Sequence, residues 1–533
     1  DSSFNMMFDD EESAKAAAET YKNAMVEKGD TVLGERVSLV PQPQASVVII
    51  DNETGYVKAI VGGRGEKEAS LTLNRATETR RQPGSTFKIV STYAPALDAE
   101  NMTLATVFDN APYNYTNGVP VNNWAGKNAY TGLTTIRQAI AGSINVVAVK
   151  CLTEITPRLG FEYAEALGIS TLYDDENLDV RQPLALGGIT DGVVNIELCD
   201  AYATIANGGK YNEAKFYSRI EDSEGKVIID NTPEEKTVLK DSTAFLLTQA
   251  MMDVVKAGGT ASDVSLGEMP IAGKTGTTSS NYDRYFVGYT PYYTAAVWIG
   301  YNHNASIRAN GNPAAQLWKK VMSEAHENLP NQNFNGSTAD MTQVTVCTRT
   351  GLLQGPGCTD VQTVWVAASN APALVCDGHV AVNLCTESGK LATEYCPAEC
   401  VQSVNAIDFT TENLTAAWGY ERTTILLPLS AAEYEAYAAQ QAADPTFVIP
   451  AGKPVQANDS GSVFSDLMML GPCTLHQYVE PEPTPGEGYY DENGNWVPAG
   501  ETAPTNPTDP EGSEEVSPER GTDFLNWLLN TAA

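Results

Sequence analysis

Histidine is scarce. The 533 residues contain four: His303, His326, His379 and His476. None lies close in sequence to the serine singled out below, so a Ser–His–Asp triad is not the expected chemistry. Basic residues are also few, 33 Lys and Arg against 67 Asp and Glu, for a formal net charge of −34. That balance argues against a nucleic acid or an anionic lipid surface as the main partner. Long apolar runs are missing: no stretch of about 18 such residues occurs, so no membrane-spanning helix is expected in this chain. A signal peptide is missing too, and the first residue is Asp1 rather than Met. The expectation is a trimmed ectodomain whose anchor lies elsewhere.

The length suits about two to four domains. Residues 10–28 are rich in Ala, Glu and Lys, with apolar positions at helical spacing, and predict one amphipathic helix. Together with the PQPQ stretch they form an expected linker, residues 1–44. A main domain is expected over 45–330. It opens with SVVIIDNETGYVKAIVGG, a hairpin pattern. Helical segments follow: one from Thr86 to Leu97, two between 131 and 155 broken at Gly142-Ser143, one ending at Asn207-Gly208-Gly209, and one over about 241–256. IAGKTGTTSS, DRYFVGYTP and YTAAVWIGY are three strand candidates, and 313–327 closes the region as a helix. Strands at both ends with helices between predict a mostly antiparallel sheet covered by helices.

From about 331 the character changes. Cys347 and Cys358, then Cys385 and Cys396, repeat one pattern, Cys-Thr-x-x-Gly-x-Leu with ten residues between the cysteines. A C-terminal extension is expected over 331–477. From 478 to 533 the chain is acidic and rich in Pro, Gly and Thr, and should be disordered apart from a short helix at TDFLNWLLN.

The chemistry centres on RQPGSTFKIV, residues 81–90. Ser85 precedes Lys88 by three residues at a predicted helix start, so the two share one face. A serine needs a base to become a nucleophile, and a desolvated lysine amine can be that base. Backbone N–H groups at a helix start can stabilise an oxyanion. The spacing alone is weak, since Ser223 and Lys226 share it in what reads as a hairpin turn. Ser143-Ile144-Asn145 offers a hydroxyl that can relay a proton and a carboxamide that can hold an amide. Ser-x-Asn also occurs at Ser3, Ser279 and Ser403, and such a serine is often only a helix cap. Lys274-Thr275-Gly276-Thr277 opens a strand with a cation, two hydroxyls and a glycine that leaves room for close backbone approach. Such an edge can take an extended peptide and receive its carboxylate.

Ser-x-x-Lys, Ser-x-Asn and Lys-Thr-Gly in this order form a specific set. With RQPGSTFK, AYATIANGG, GGTASD and AGKTGTTSSNYDRYFVGYTP around it, the chain resembles the transpeptidase domain of class A penicillin-binding proteins over about residues 45–327. The resemblance implies an α/β fold of the α+β type, the one shared with serine β-lactamases, plus a small Cys-containing C-terminal region. It implies a D,D-transpeptidase that cross-links peptidoglycan stem peptides ending in D-Ala-D-Ala. Ser85 would be the nucleophile and Lys88 its base, with Ser143 and Lys274 passing the proton to the leaving amine. Asn145, Thr275, Gly276 and Thr277 would bind substrate, and the Ser85 and Thr277 amides would form the oxyanion hole. β-Lactams would acylate Ser85. No cofactor or metal is implied, and protein partners would be cell-wall synthesis or division proteins at the outer face of a bacterial membrane.

Two departures stand out. The Glu-Asp-x-x-Phe-x-x-His-x-Gly signature of the companion glycosyltransferase domain is absent, so glycan polymerisation is not expected of this chain. Asp283-Arg284-Tyr285-Phe286 replaces the frequent Asp-Ala-Trp-Phe. A class A β-lactamase would need a Glu-x-x-Leu-Asn pattern between the second and third motifs, which is not found. A non-catalytic β-lactam sensor would carry a transmembrane signalling segment. For the cysteines, local disulfides Cys347–Cys358 and Cys385–Cys396 are the expectation in an extracellular chain. Zinc on Cys376, His379, Cys396 and Cys400 is the alternative. Cys151 and Cys199 read as buried thiols.

Overall fold

The computed structural model describes residues 6–67, 70–124, 130–408, 411–418, 426–427, 431–443, 447, 453–454, 472–476, 489–490 and 496–497. The chain divides into two compact units, Asp1–Leu475 and His476–Ala533. In the second unit the described secondary structure is a strand pair, Tyr489–Tyr490 with Trp496–Val497. The expected helix at TDFLNWLLN and most of the expected disordered tail lie outside the described residues.

In the first unit, α1 (Glu11–Met25) begins on an Asp10 side-chain cap and buries no residue, as its polar composition dictates. The main sheet has five strands: β1 (Gln44–Asp51), β2 (Val57–Val61), β3 (Ala272–Thr277), β4 (Asp283–Tyr289) and β5 (Tyr293–Gly300). Their order is β3-β4-β5-β1-β2 and every pairing is antiparallel. Nearly all of β1, β4 and β5 is buried, because helices cover both faces of the sheet.

Five helices of this unit position the site or cover the sheet: α2 (Ile136–Gly142), α3 (Asn145–Ile155), α4 (Asn195–Ala206), α5 (Asp241–Met252) and α6 (Pro313–Ala325). The Asn195 amide of α4 donates to Ser46 Oγ at 3.1 Å and the Ala296 carbonyl at 3.2 Å, tying that helix to one face. On α6, Trp318 packs edge-on against Phe286 and donates its indole N–H to the Ala295 carbonyl at 3.0 Å.

One expected helix is composite. Residues 84–98 run as a 3-10 turn (Gly84–Thr86), a wide π turn (Ile89–Tyr93) and an α turn (Ala94–Asp98). Pro95 is the reason. It has no N–H for the Ser91 carbonyl, and a widened turn relieves the clash that a proline ring causes inside a regular helix.

Beyond α6, β6 (Met341–Cys347) pairs with β7 (Val361–Ala367), and β8 (His379–Cys385) pairs with β9 (Val401–Ile407). This extension does not separate from the main domain. Val107 and Leu133, on the hairpin of Val107–Asn110 with Gly132–Thr135, bury against Cys347, Leu352 and Cys376.

The expected disulfides Cys347–Cys358 and Cys385–Cys396 are not formed here, and none of the nine cysteines is in a disulfide. Cys347 and Cys358 instead meet Cys376 and His379, and Cys385 and Cys396 meet Cys473. The alternative set of Cys376, His379, Cys396 and Cys400 is not assembled either, since its members belong to different groups. Spacing within each repeat could reveal local pairs, but the third cysteine arrives only when the strands fold back.

Candidate active site

Three segments far apart in sequence converge at one end of β3. The Arg81–Thr86 turn is seated on that strand by two glycines. Gly84 has φ +57, and a Cβ there would lie 2.7 Å from the Thr277 carbonyl oxygen. A Cβ on Gly276 would lie 2.5 Å from the Pro83 carbonyl oxygen. Only glycine allows two backbones to approach this closely. The turn is further held by Tyr202, whose hydroxyl donates to the Thr86 carbonyl at 2.7 Å. Arg81 Nε donates to Asp283 Oδ1 at 2.7 Å, and Trp298 Nε1 donates to the same oxygen at 2.9 Å. Substituting Gly84 with alanine is therefore expected to slow acylation more than about tenfold, because left-handed strain and backbone overlap both push Ser85 off β3. Second-order acylation rates against a penicillin check this, and an unchanged rate would show that the turn relaxes freely.

The second motif sits where the helices break. Thr135 and Gln138 cap the start of α2 reciprocally, and Ser143 ends it in the left-handed region at φ 53. Asn145 then starts α3. Asn123, not foreseen from sequence, receives the Asn145 and Val146 backbone N–H groups on its side-chain oxygen at 3.0 and 3.2 Å.

Lys88 and Lys274 both reach Ser143. Lys88 Nζ donates to the Ser143 carbonyl at 2.7 Å, to its Oγ at 3.3 Å and to Asn145 Oδ1 at 2.6 Å. Lys274 Nζ donates to Ser143 Oγ at 2.7 Å. Both lysines are fully buried, and neither forms an ion pair among the described residues. Burial, then the charge of Lys274, holds the Lys88 amine well below its ordinary range. Burial alone brings Lys274 down to about 7. An amine in this state can accept a proton near neutral pH, and the Ser143 hydroxyl between the two can hand one on.

Ser85 is half-buried at the mouth of this network. Among the described residues no hydrogen bond joins it to Lys88, whose amine is committed to Ser143 and Asn145. It lines a groove of about 640 Å³ with Tyr115, Asn145, Gly187, Thr277 and Asn304.

The strand alternation sorts the Lys-Thr-Gly residues. Lys274 pairs across the sheet with Val287, then Ala296 and Val48, on the face that α4 covers. Thr275 and Thr277 lie on the other face. The expectation of a cation beside the two hydroxyls thus fails for Lys274, which points inward to Ser143. The cation beside them is Arg284, directly opposite Thr277, donating to its hydroxyl at 3.1 Å. Thr275 shares a 2.8 Å hydrogen bond with Thr260. Arg284 lies within the DRYF stretch that departs from the common pattern, so the signal was visible, but its partner was not.

The sequence profile described as the penicillin-binding protein transpeptidase domain matches residues 45–323. Penicillin-binding protein 1A of Clostridium botulinum is 34% identical over 375 residues, covering 68% of this chain and 45% of that protein. Penicillin-binding protein 1A/1B of Bacillus subtilis is 33% identical over 287 residues, covering 51% of this chain and 30% of the relative. This chain therefore spans less than half the length of either. The crystal structure of penicillin-binding protein 1A from Haemophilus influenzae superposes with a TM-score of 0.56 at 20% identity, covering 64% of this chain and 55% of that one, a likeness of fold.

Proposed function

Because this chain belongs to the penicillin-binding protein transpeptidase family, we propose that it is a D,D-transpeptidase. In this reading Ser85 is the nucleophile, stem peptides ending in D-Ala-D-Ala are the donors, and β-lactams acylate the same serine. The observation that carries the reading is the buried Lys88–Ser143–Lys274 network with Ser85 and the exposed end of the edge strand β3 in the adjoining groove.

Lys88, whose amine burial holds well below its ordinary range, takes the Ser85 proton as Oγ attacks the penultimate carbonyl. That step requires the amine to leave the Asn145 oxygen and turn toward Ser85. The Ser85 and Thr277 backbone amides hold the oxyanion. Ser143 Oγ, with Lys274 behind it, delivers a proton to the leaving D-Ala nitrogen. An amine of a second stem peptide then attacks the ester, and water in its place would give a D,D-carboxypeptidase side reaction. One N–H of the Asn145 carboxamide is committed to the Asn122 carbonyl at 2.7 Å, and the other serves a substrate amide from the groove. In this reading residues 45–330 would be the catalytic domain and 1–44 a linker. The chain would work at the outer face of a bacterial membrane with other cell-wall synthesis or division proteins. No helix among the described residues is long and apolar enough to cross a membrane.

The substrate carboxylate is assigned to Thr275, Thr277 and the neighbouring Arg284. Charge-assisted hydrogen bonds contribute about 1.5 to 3 kcal/mol each. Thr277→Val and Arg284→Ala are each expected to slow acylation by roughly ten- to a hundred-fold for penicillins with a free carboxylate, and little for an esterified analogue. Second-order rates against both ligands decide this. Equal losses for the two would mean that these side chains only shape the strand. The function itself is tested by turnover of a D-Ala-D-Ala peptide with an acceptor amine. Acylation that stops without product would identify a sensor instead.

A further inference from the structure

The cysteine group at the base of the C-terminal extension lies outside residues 45–323 and has no part in the acylation chemistry. Cys347 ends β6, Cys358 lies in the following loop, and Cys376 precedes His379 at the start of β8. Their three sulfurs and one imidazole nitrogen all lie within 4.8 Å of one another, with Cys347 Sγ and His379 Nε2 only 3.1 Å apart. We propose that Cys347, Cys358, Cys376 and His379 bind one structural zinc ion that fastens the extension to the main domain.

Zinc takes thiolates at about 2.3 Å and imidazole at about 2.0 to 2.1 Å in a tetrahedron, so its ligand atoms stand roughly 3.5 to 3.8 Å apart. The four atoms here need only small shifts to reach that shape. A set of soft sulfurs with one imidazole suits zinc and excludes the hard cations.

The surroundings are arranged for a ligand. His379 Nδ1 stands 3.1 Å from Asn405 Oδ1. The orientation of that amide is settled by its other end, because Asn405 Nδ2 donates to the Gly357 carbonyl at 3.0 Å. The ring proton is therefore on Nδ1, and Nε2 presents a lone pair to the three sulfurs, as in other histidines held for metal. The Gly355 N–H donates to Cys358 Sγ at 3.2 Å. The loop approaches so closely that a Cβ on Gly355 would lie 1.8 Å from the Cys376 carbonyl oxygen.

A disulfide explains less. It would take two of three sulfurs and leave a thiol and an oriented imidazole without a task. The order of residues also repeats. Cys385 and Cys396 are again ten residues apart, and a second Cys-x-x-His, Cys473 to His476, follows. The sulfurs of Cys385, Cys396 and Cys473 are likewise gathered. Two disulfides would not account for three cysteines recurring with a Cys-x-x-His word. The position of the first group gives it a structural task. Cys347 and Cys376 bury against Val107 and Leu133, and the Leu133 strand leads straight into α2, which ends at Ser143.

The test is metal content of the whole chain, purified without chelator. Cys358→Ser and His379→Ala are each expected to lose about one zinc equivalent relative to the parent, with circular dichroism showing retained secondary structure. His379→Cys should keep that equivalent, since four thiolates also bind zinc. Independently of any variant, the parent stripped of metal and given cobalt(II) should show the intense visible bands of a tetrahedral thiolate site. Equal zinc content in the parent and both loss variants overturns the proposal. So does a Cys347–Cys358 disulfide found by non-reducing peptide mapping of the parent.

Discussion

Ser85→Ala is expected to abolish covalent labelling by penicillin, a loss of roughly 10⁴-fold or more in acylation rate. The hydroxyl of the second motif cannot replace the missing oxygen. Ser143 Oγ is buried and already bonded to both lysines. The backbone donors and the groove remain, so weak reversible binding should survive. Thermal unfolding should change little, because the Ser85 side chain is half-buried and makes no hydrogen bond among the described residues. Intact-protein mass spectrometry after exposure to a penicillin, followed by peptide mapping, measures this. An adduct that persists on another serine would move the nucleophile elsewhere.

Lys88→Arg is expected to lower acylation by about 10² to 10⁴-fold, the usual contribution of a positioned base. Arginine keeps the charge but does not give up its proton near neutral pH. The parent's pH profile is expected to carry the same information. Both buried amines are lowered from 10.5, Lys274 to about 7, and they share Ser143, so the apparent values belong to the pair. At acid pH both are protonated and the base is lost, so acylation should rise with pH through neutrality. Stability should follow in sign. For an amine whose folded value lies below the unfolded one, the unfolded chain binds more protons between the two values, here from about 7 to 10.5 for Lys274. Stability therefore rises with pH across that window, and Lys274→Met should flatten the rise. A flat acylation profile from pH 6 to 9, or an arginine variant within a few-fold of the parent, would mean that Lys88 is a structural charge.

The sequence by itself determined the identity of the nucleophile candidate, the two lysines and the helix break at Ser143. The helix break rests on a local rule, that Gly and Ser interrupt helices. The choice of Ser85, Lys88 and Lys274 rests on the order of the three motifs and the family resemblance they carry, since the spacing of each alone is weak. It also determined the antiparallel sheet, because strand-like runs at both ends of the domain can meet only in one layer. The tertiary structure decided what those residues touch. Lys88 reaches Ser143 and Asn145 rather than Ser85, because the amine follows the acceptors that the distant Ser143–Asn145 segment brings into its pocket. Lys274 turned out to be buried and Arg284 to be the cation beside Thr277, since strand register across β3 and β4 is a long-range pairing that no local spacing encodes. Gly84 and Gly276 could be read as turn and strand glycines, but their mutual backbone contact exists only when the first and third motifs dock. The cysteines show the same limit. Equal spacing within each repeat suggested pairs, whereas the return of β8 adds a third sulfur and a histidine, and with them a different chemistry.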